Sequence, residues 1–190
     1  MKDNQPDIAA ILTGDSKEFS VLVDTYKNVV FTVALRMLKR REEAEEVAQD
    51  TFVKVYRSLG KFKGESKLST WIYRIAYNTC LDRLKKSGRH IRDIAIDEIE
   101  GFEIKDVDNA LDGIMQSEKA ELVRKCIEKL SPKDSALLTL FYLEEKNLNE
   151  LGEILKMNQN AVKVGLFRAR GRLANILKKY LEPEIIENYG

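Results

Sequence analysis

Apolar side chains recur along this chain at intervals of three and four residues, the spacing of one face of an α-helix. From Ser16 onward Phe19, Leu22, Val23, Tyr26, Val29, Val30, Val33 and Met37 fall on one stripe, which predicts an amphipathic helix to about Leu38. A second helix is expected from about Arg41, with Ala44, Val47, Ala48, Thr51, Phe52 and Val55 facing inward. Its first turns hold Glu42, Glu43, Glu45 and Glu46, favourable beside the positive end of the helix dipole. Gly60 and Gly64 then mark a loop. A third helix begins at Ser69 or Thr70, either of which can cap it, and runs to about Lys86. Its inward stripe is Leu68, Ile72, Ile75, Ala76 and Thr79, while Trp71, Arg74, Asn78, Leu81 and Lys85 share another side, with Tyr77 adjacent.

The periodicity lapses over residues 93–117, where eight acids stand against one lysine; this stretch reads as an extended acidic linker that holds the domain boundary. Beyond it Glu118 to Leu130 reads as a helix with Leu122, Cys126, Ile127 and Leu130 inward. Ser131-Pro132 is an N-cap followed by proline at the first helical position. The segment LNELGEILKMNQNAVKVGLFRARGRL, residues 148–173, fits a helix-turn-helix. Leu148, Leu151 and Leu155 form its first apolar face, and Gly152 lets a second helix cross closely. Met157 in the turn points into the core, Asn158 caps the next helix, and Val162, Phe167 or Leu166, and Leu173 pack inward. The expected fold is all-α: two small helical domains, 1–92 and 118–190, joined by the linker.

Charge changes this picture more than composition does. Over 190 residues the net charge is only +1, but it is partitioned. Residues 61–92 hold nine Lys or Arg against two acids and the only tryptophan; 93–155 hold seven against 16; 156–179 hold seven and no acid. Two basic blocks separated by an acidic one suggest two DNA-contacting regions joined by a segment that avoids DNA. Aromatics threaded through the first block suit single-stranded or melting DNA, where phosphates need cations and unstacked bases need flat surfaces. In the second block Gln159 and Asn160 can read adenine edges, and Lys163, Arg168, Arg170 and Arg172 can read guanine or hold phosphates.

Several classes drop out. No run approaches the roughly 18 apolar residues of a membrane span, and MKDNQPDIAA lacks the pattern of a secretory signal, so no membrane insertion and a cytoplasmic location are expected. Cys80 and Cys126 lie in apolar helical phase and read as buried thiols. His90 is the only histidine, and with no His pair, strand-borne carboxylate cluster or phosphate-cradling loop, no catalytic residue, metal or cofactor is expected.

The order EEAEEVAQDTFVKVY, FKGESKLSTWIYRIAYNTCLDRLKK, acidic linker, then LSPKDSALLTLFYLEEKNLNELGEIL and VKVGLFRAR resembles the extracytoplasmic-function branch of bacterial sigma factors over roughly residues 8–180. That resemblance implies a dissociable subunit that gives core RNA polymerase its promoter specificity. Its partners would be the polymerase, through the β′ clamp helices and the β flap, and promoter DNA; an anti-sigma factor is compatible with the class. Glu43, Glu46, Gln49, Asp50 and Phe52 match the part that docks on the clamp helices, and Glu46 and Asp50, four apart on one helix face, can pair with partner arginines. Lys61, Lys63 and Lys67 align with the loop that captures a base flipped from the −10 element. Trp71 and Asn78 match positions at the melting junction; Arg74, Tyr77, Arg83, Lys85 and Lys86 complete that set, the cations holding phosphates. The linker matches a segment that threads the polymerase, its negative charge imitating RNA.

Two departures from the family pattern stand out. Lys156 occupies a turn position where glycine is common, and Val164-Gly165 replaces a Ser-Arg or Thr-Arg pair, so an arginine able to read guanine is absent. A helix-turn-helix regulator that binds only duplex DNA is the alternative; it explains 148–173 and leaves the basic, aromatic 61–92 segment without a role.

Overall fold

The computed structural model describes residues 6–89 and 120–187. Among these residues there is no strand, as the all-α expectation requires. The described residues fall into two compact units: 6–89 together with Asn149–Met157, and 120–148 together with 158–187. The linker expected over 93–117, and His90 with it, lies outside the described residues.

The first unit is built on α1 (Ile8–Leu12), α2 (Ser16–Leu38), α3 (Arg41–Ser58) and α4 (Leu68–Lys86), with a 3-10 turn at Leu59–Lys61 after α3. Asp7 and Asp15 start α1 and α2 by accepting backbone N–H groups at Ala9 and Ala10, and at Lys17 and Glu18. Each such cap contributes about 1 kcal/mol. α2 stops at Lys39, which takes a left-handed conformation (φ 62°) and returns its N–H to Leu35 O. α2, α3 and α4 pack mutually. Leu22, Val30, Met37, Ala44, Val47, Val55, Ile72, Ala76 and Cys80 meet between them, each no more than 1% exposed. Burial pushes the Cys80 thiol up to about 12, which keeps it neutral and inert.

α4 departs from the sequence expectation in two ways. It begins at Leu68, with Lys67 as N-cap and no side-chain cap bond, so neither Ser69 nor Thr70 caps it; Thr70 is 1% exposed. It is also buried over a wider arc than one stripe, because α2 and α3 both pack on it. Tyr73, Tyr77, Cys80 and Leu84 are buried in addition to Ile72, Ala76 and Thr79. The Tyr73 ring meets Tyr26 edge-on at 6.1 Å.

The second unit holds α5 (Ala120–Ile127), α6 (Pro132–Leu138), a π-helical turn at Thr139–Leu143 and α8 (Gln159–Glu187). Ser131 caps α6 as expected: its Oγ accepts from Asp134 N at 3.3 Å and donates to Asp134 Oδ2 at 2.9 Å. α8 lies on α5 and α6 and buries Val162, Leu166, Ala169, Leu173 and Leu177. Between Phe167 and Leu166, Leu166 is the buried one, at 2% exposure.

α7 (Leu148–Leu155), a turn and α8 follow in helix-turn-helix order. Asn158 caps α8, its Oδ1 accepting from Ala161 N at 2.8 Å. Met157, expected in the core, is 38% exposed. Gly152 is required by the turn itself: its missing Cβ would sit 2.7 Å from Met157 O, while Met157 N donates to Gly152 O at 2.9 Å. Lys156 takes φ 57°, a left-handed conformation that costs a residue with a Cβ about 1 kcal/mol. Lys156→Gly is therefore expected to raise stability by about 0.5–1 kcal/mol, read from urea unfolding of the full chain.

Candidate functional site

The loop after α3 and the start of α4 present Lys61, Lys63, Lys67 and Arg74 as exposed cations, and Lys85 and Lys86 are exposed at the far end of α4. Trp71 is half-buried on the first turn of α4. Its ring lies against Phe62 from the loop, centroids 5.4 Å apart and planes tilted by 50°. Asn78 is two turns further along; its Nδ2 donates to Arg74 O at 2.7 Å. Lys67 Nζ pairs with Glu150 Oε1 at 2.9 Å, Glu150 belonging to the part of α7 that clusters with this unit.

Two members of the expected DNA-facing set are placed elsewhere. Tyr77 is 6% exposed and is a core residue, because the second packing face of α4 covers it. Arg83 turns towards α3 and binds Glu46, Nη2 to Oε2 at 2.5 Å. Arg83 also lines a cleft of about 400 Å³ between α3 and α4, whose walls carry Asp50, Asp82, Lys54 and Lys86.

The acidic face of α3 is thus partly engaged within the chain. Glu43 pairs with the guanidinium of Arg89 and, at 3.3 Å, with Arg40. Arg89 also donates to Leu38 O at 3.0 Å and Ser87 Oγ at 2.8 Å, which fastens the end of α4 to the α2–α3 corner. Gln49 and Asp50 are exposed, and the Glu46 side chain keeps 60% exposure despite its pairing. Phe52 is 9% exposed and forms the floor of a surface hollow shared with Phe19, Val53 and Tyr56.

The hydrogen bond from Arg89 and its charge hold the Glu43 carboxyl below its usual value. A carboxyl lowered by folding adds stability that is present above the ordinary carboxyl pKa and is lost as pH falls through the lowered one. Arg89→Ala is expected to destabilise at neutral pH and to flatten the fall in melting temperature between about pH 6 and pH 3, measured by thermal melts.

At the start of α8, Gln159, Asn160 and Lys163 are exposed and Arg168 is half-buried. Arg170 and Arg172 are not part of this face. Arg172 Nη1 pairs with Asp134 Oδ2 at 2.7 Å, side chains 18% and 12% exposed. Arg170 Nε donates to Tyr142 Oη at 2.8 Å, and its guanidinium lies over Phe141 and Tyr142 at 5.1 and 5.5 Å. Both arginines hold α8 to α6 and the π-helical turn. Both count only as positive charge in a sequence window, whatever they pair with.

Two groups of residues escaped the sequence reading. Phe62, between Lys61 and Lys63, supports the Trp71 ring; its signal was an aromatic residue set between two cations. Val53 and Tyr56 are 46% and 52% exposed around Phe52. Their signal was an apolar pair outside the inward stripe of α3.

Residues 22–90 match the family described as sigma-70 region 2, and residues 120–173 match sigma-70 region 4. The class so defined is that of sigma-70 factors. The chain is 33% identical over 177 residues to the ECF RNA polymerase sigma factor SigW of Bacillus subtilis, covering 90% of this chain and 95% of that one. It is 32% identical over 174 residues to the ECF RNA polymerase sigma-E factor of Haemophilus influenzae, covering 88% and 92%. The fold is shared with CnrH, solved in complex with the cytosolic domain of CnrY (TM-score 0.62, 20% identity, 93% of this chain and 99% of that one). It is also shared with the sigma factor RpoE of Bartonella quintana, solved with the anti-sigma factor NepR (TM-score 0.61, 20% identity, 85% and 98%). The chain belongs to the ECF family of RNA polymerase sigma factors.

Proposed function

We propose that this chain binds core RNA polymerase through the outer face of α3, opens the −10 element with the loop and first turns of α4, and reads the −35 element as duplex with the start of α8. It performs no chemistry itself and acts in the cytoplasm beside the polymerase. The observation that carries this is the half-buried Trp71–Phe62 pair, set in a segment whose Lys61, Lys63 and Arg74 are exposed. A flat apolar surface bordered by cations suits bases leaving the stack, because stacking and phosphate contacts must together offset the few kcal/mol that unstacking costs. Duplex DNA offers no such need.

Gln49, Asp50 and the exposed part of Glu46 supply the polymerase-facing acids; Glu43, held by Arg89 and Arg40, fixes the α3 corner instead. Trp71, Asn78, Arg74 and the lysines at 61, 63 and 67 act on the opening strand. Lys85 and Lys86 hold phosphates. Gln159, Asn160, Lys163 and Arg168 face the −35 groove.

The test is co-elution of the purified chain with core polymerase, beside its binding to upstream duplex alone. A stable complex with core, and weak binding to duplex without it, supports the proposal. Tight duplex binding with no affinity for core returns the chain to a conventional helix-turn-helix regulator.

A further inference from the structure

We infer that Val164 is a specificity-determining residue of this sigma factor, and that it reads the 5-methyl group of a thymine in the −35 element. The inference rests on the −35 role proposed for α8. Val164 is 45% exposed, and single exposed apolar residues are ordinary on protein surfaces. Its position is what distinguishes it. Val162, Leu166, Ala169 and Leu173 form the buried stripe of α8. At 100° per residue Val164 stands roughly 170° from the middle of that stripe, at the centre of the outward face. Asn160 lies one turn before it and Arg168 one turn after it on the same ridge, with Lys163 alongside. All four fall in the first three turns of the helix, and residues 156–179 contain no acid that would repel phosphate.

A helix that lays this ridge in the major groove brings a hydrophobic side chain, not a donor or acceptor, to its centre. Of the four bases only thymine offers an apolar group on that edge. Guanine O6 and N7 or the cytosine amino group facing Val164 would lose water without gaining a partner, a cost that discriminates against G·C at this position. Asn160 suits an adjacent adenine through N6 and N7. Gly165, with no side chain, leaves room beside Val164 for close approach. A β-branched residue on an exposed helix face lowers helix propensity, so nothing in the fold of α8 asks for valine here.

The test uses the full chain with core polymerase. A promoter library randomised in the −35 element gives the preferred sequence, and each thymine in it is then replaced singly by deoxyuridine, which removes only the methyl group. With the wild-type chain one such replacement is expected to weaken promoter binding about fourfold, the effect of one buried methyl group. Val164→Ala, whose shorter side chain covers less of the methyl group, is expected to bring the thymine-to-uracil ratio towards one, and Val164→Ile to keep the wild-type preference. A library with no thymine preference, or a Val164→Ala holoenzyme that keeps the wild-type thymine-to-uracil ratio, overturns the inference. A chain that forms no holoenzyme overturns the proposed function itself, and this inference falls with it.

Discussion

Trp71→Ala is expected to slow open-complex formation by about ten- to a hundredfold while leaving affinity for core polymerase within about twofold, because one base–aromatic stack is worth about 1–3 kcal/mol. The indole is half-buried, so part of it already stabilises the loop through Phe62, and the exposed remainder is the surface a displaced base would use. Trp71→Phe keeps a ring of smaller area and is expected to recover part of the rate. Reactivity of unpaired thymines in the −10 region reads the opening step, and co-elution reads core binding. Equal losses in both measurements would make Trp71 a packing residue of the α4 start, with strand opening carried elsewhere.

The second large effect separates an arginine and a lysine that look alike in the sequence. Arg172→Ala is expected to destabilise the C-terminal unit by about 2–3 kcal/mol, because it leaves the Asp134 carboxylate largely buried with, among the described residues, only the Ser131 hydroxyl beside it. Its promoter binding, measured below the melting temperature, should keep the wild-type salt slope. Lys163→Ala should do the reverse. Exposed on α8, it contributes little to stability, and its loss is expected to weaken binding uniformly and reduce the salt slope by about 1. Thermal melts and a salt titration of duplex binding give both numbers. A reduced salt slope in Arg172→Ala with unchanged stability would put Arg172 back in the DNA-facing set.

The helices were legible because their signals are local. The stripe from Phe19 to Met37 and the run of acids after Arg41 correspond to α2 (Ser16–Leu38) and α3 (Arg41–Ser58), and the caps at Ser131 and Asn158 depend only on their own neighbours. What was not legible depends on tertiary partners. A single stripe cannot show that α4 is packed by two helices, which is why Tyr77 reads as a surface residue in the sequence and is buried in the structure. Arg83, Arg89, Arg170 and Arg172 count as positive charge in any window, yet each has a partner from a distant element: Glu46, Glu43, the Phe141–Tyr142 pair and Asp134. Lys156 is a case where the sequence was informative because it broke a pattern: a non-glycine residue in a turn that takes φ 57°. The lysines at 61, 63 and 67 and the first residues of α8 are exposed, as the proposed contact surface requires.

The most direct measurement is transcription by core RNA polymerase and the purified chain on a promoter library randomised at both the −35 and −10 elements. Transcripts that depend on the chain and select two conserved elements, with Trp71→Ala failing at the −10 opening step and Lys163→Ala weakening −35 binding without changing the −10 preference, are the expected result. No chain-dependent transcript from any member of the library, or transcripts that select a duplex −35 site with no −10 preference, would contradict the two-element account.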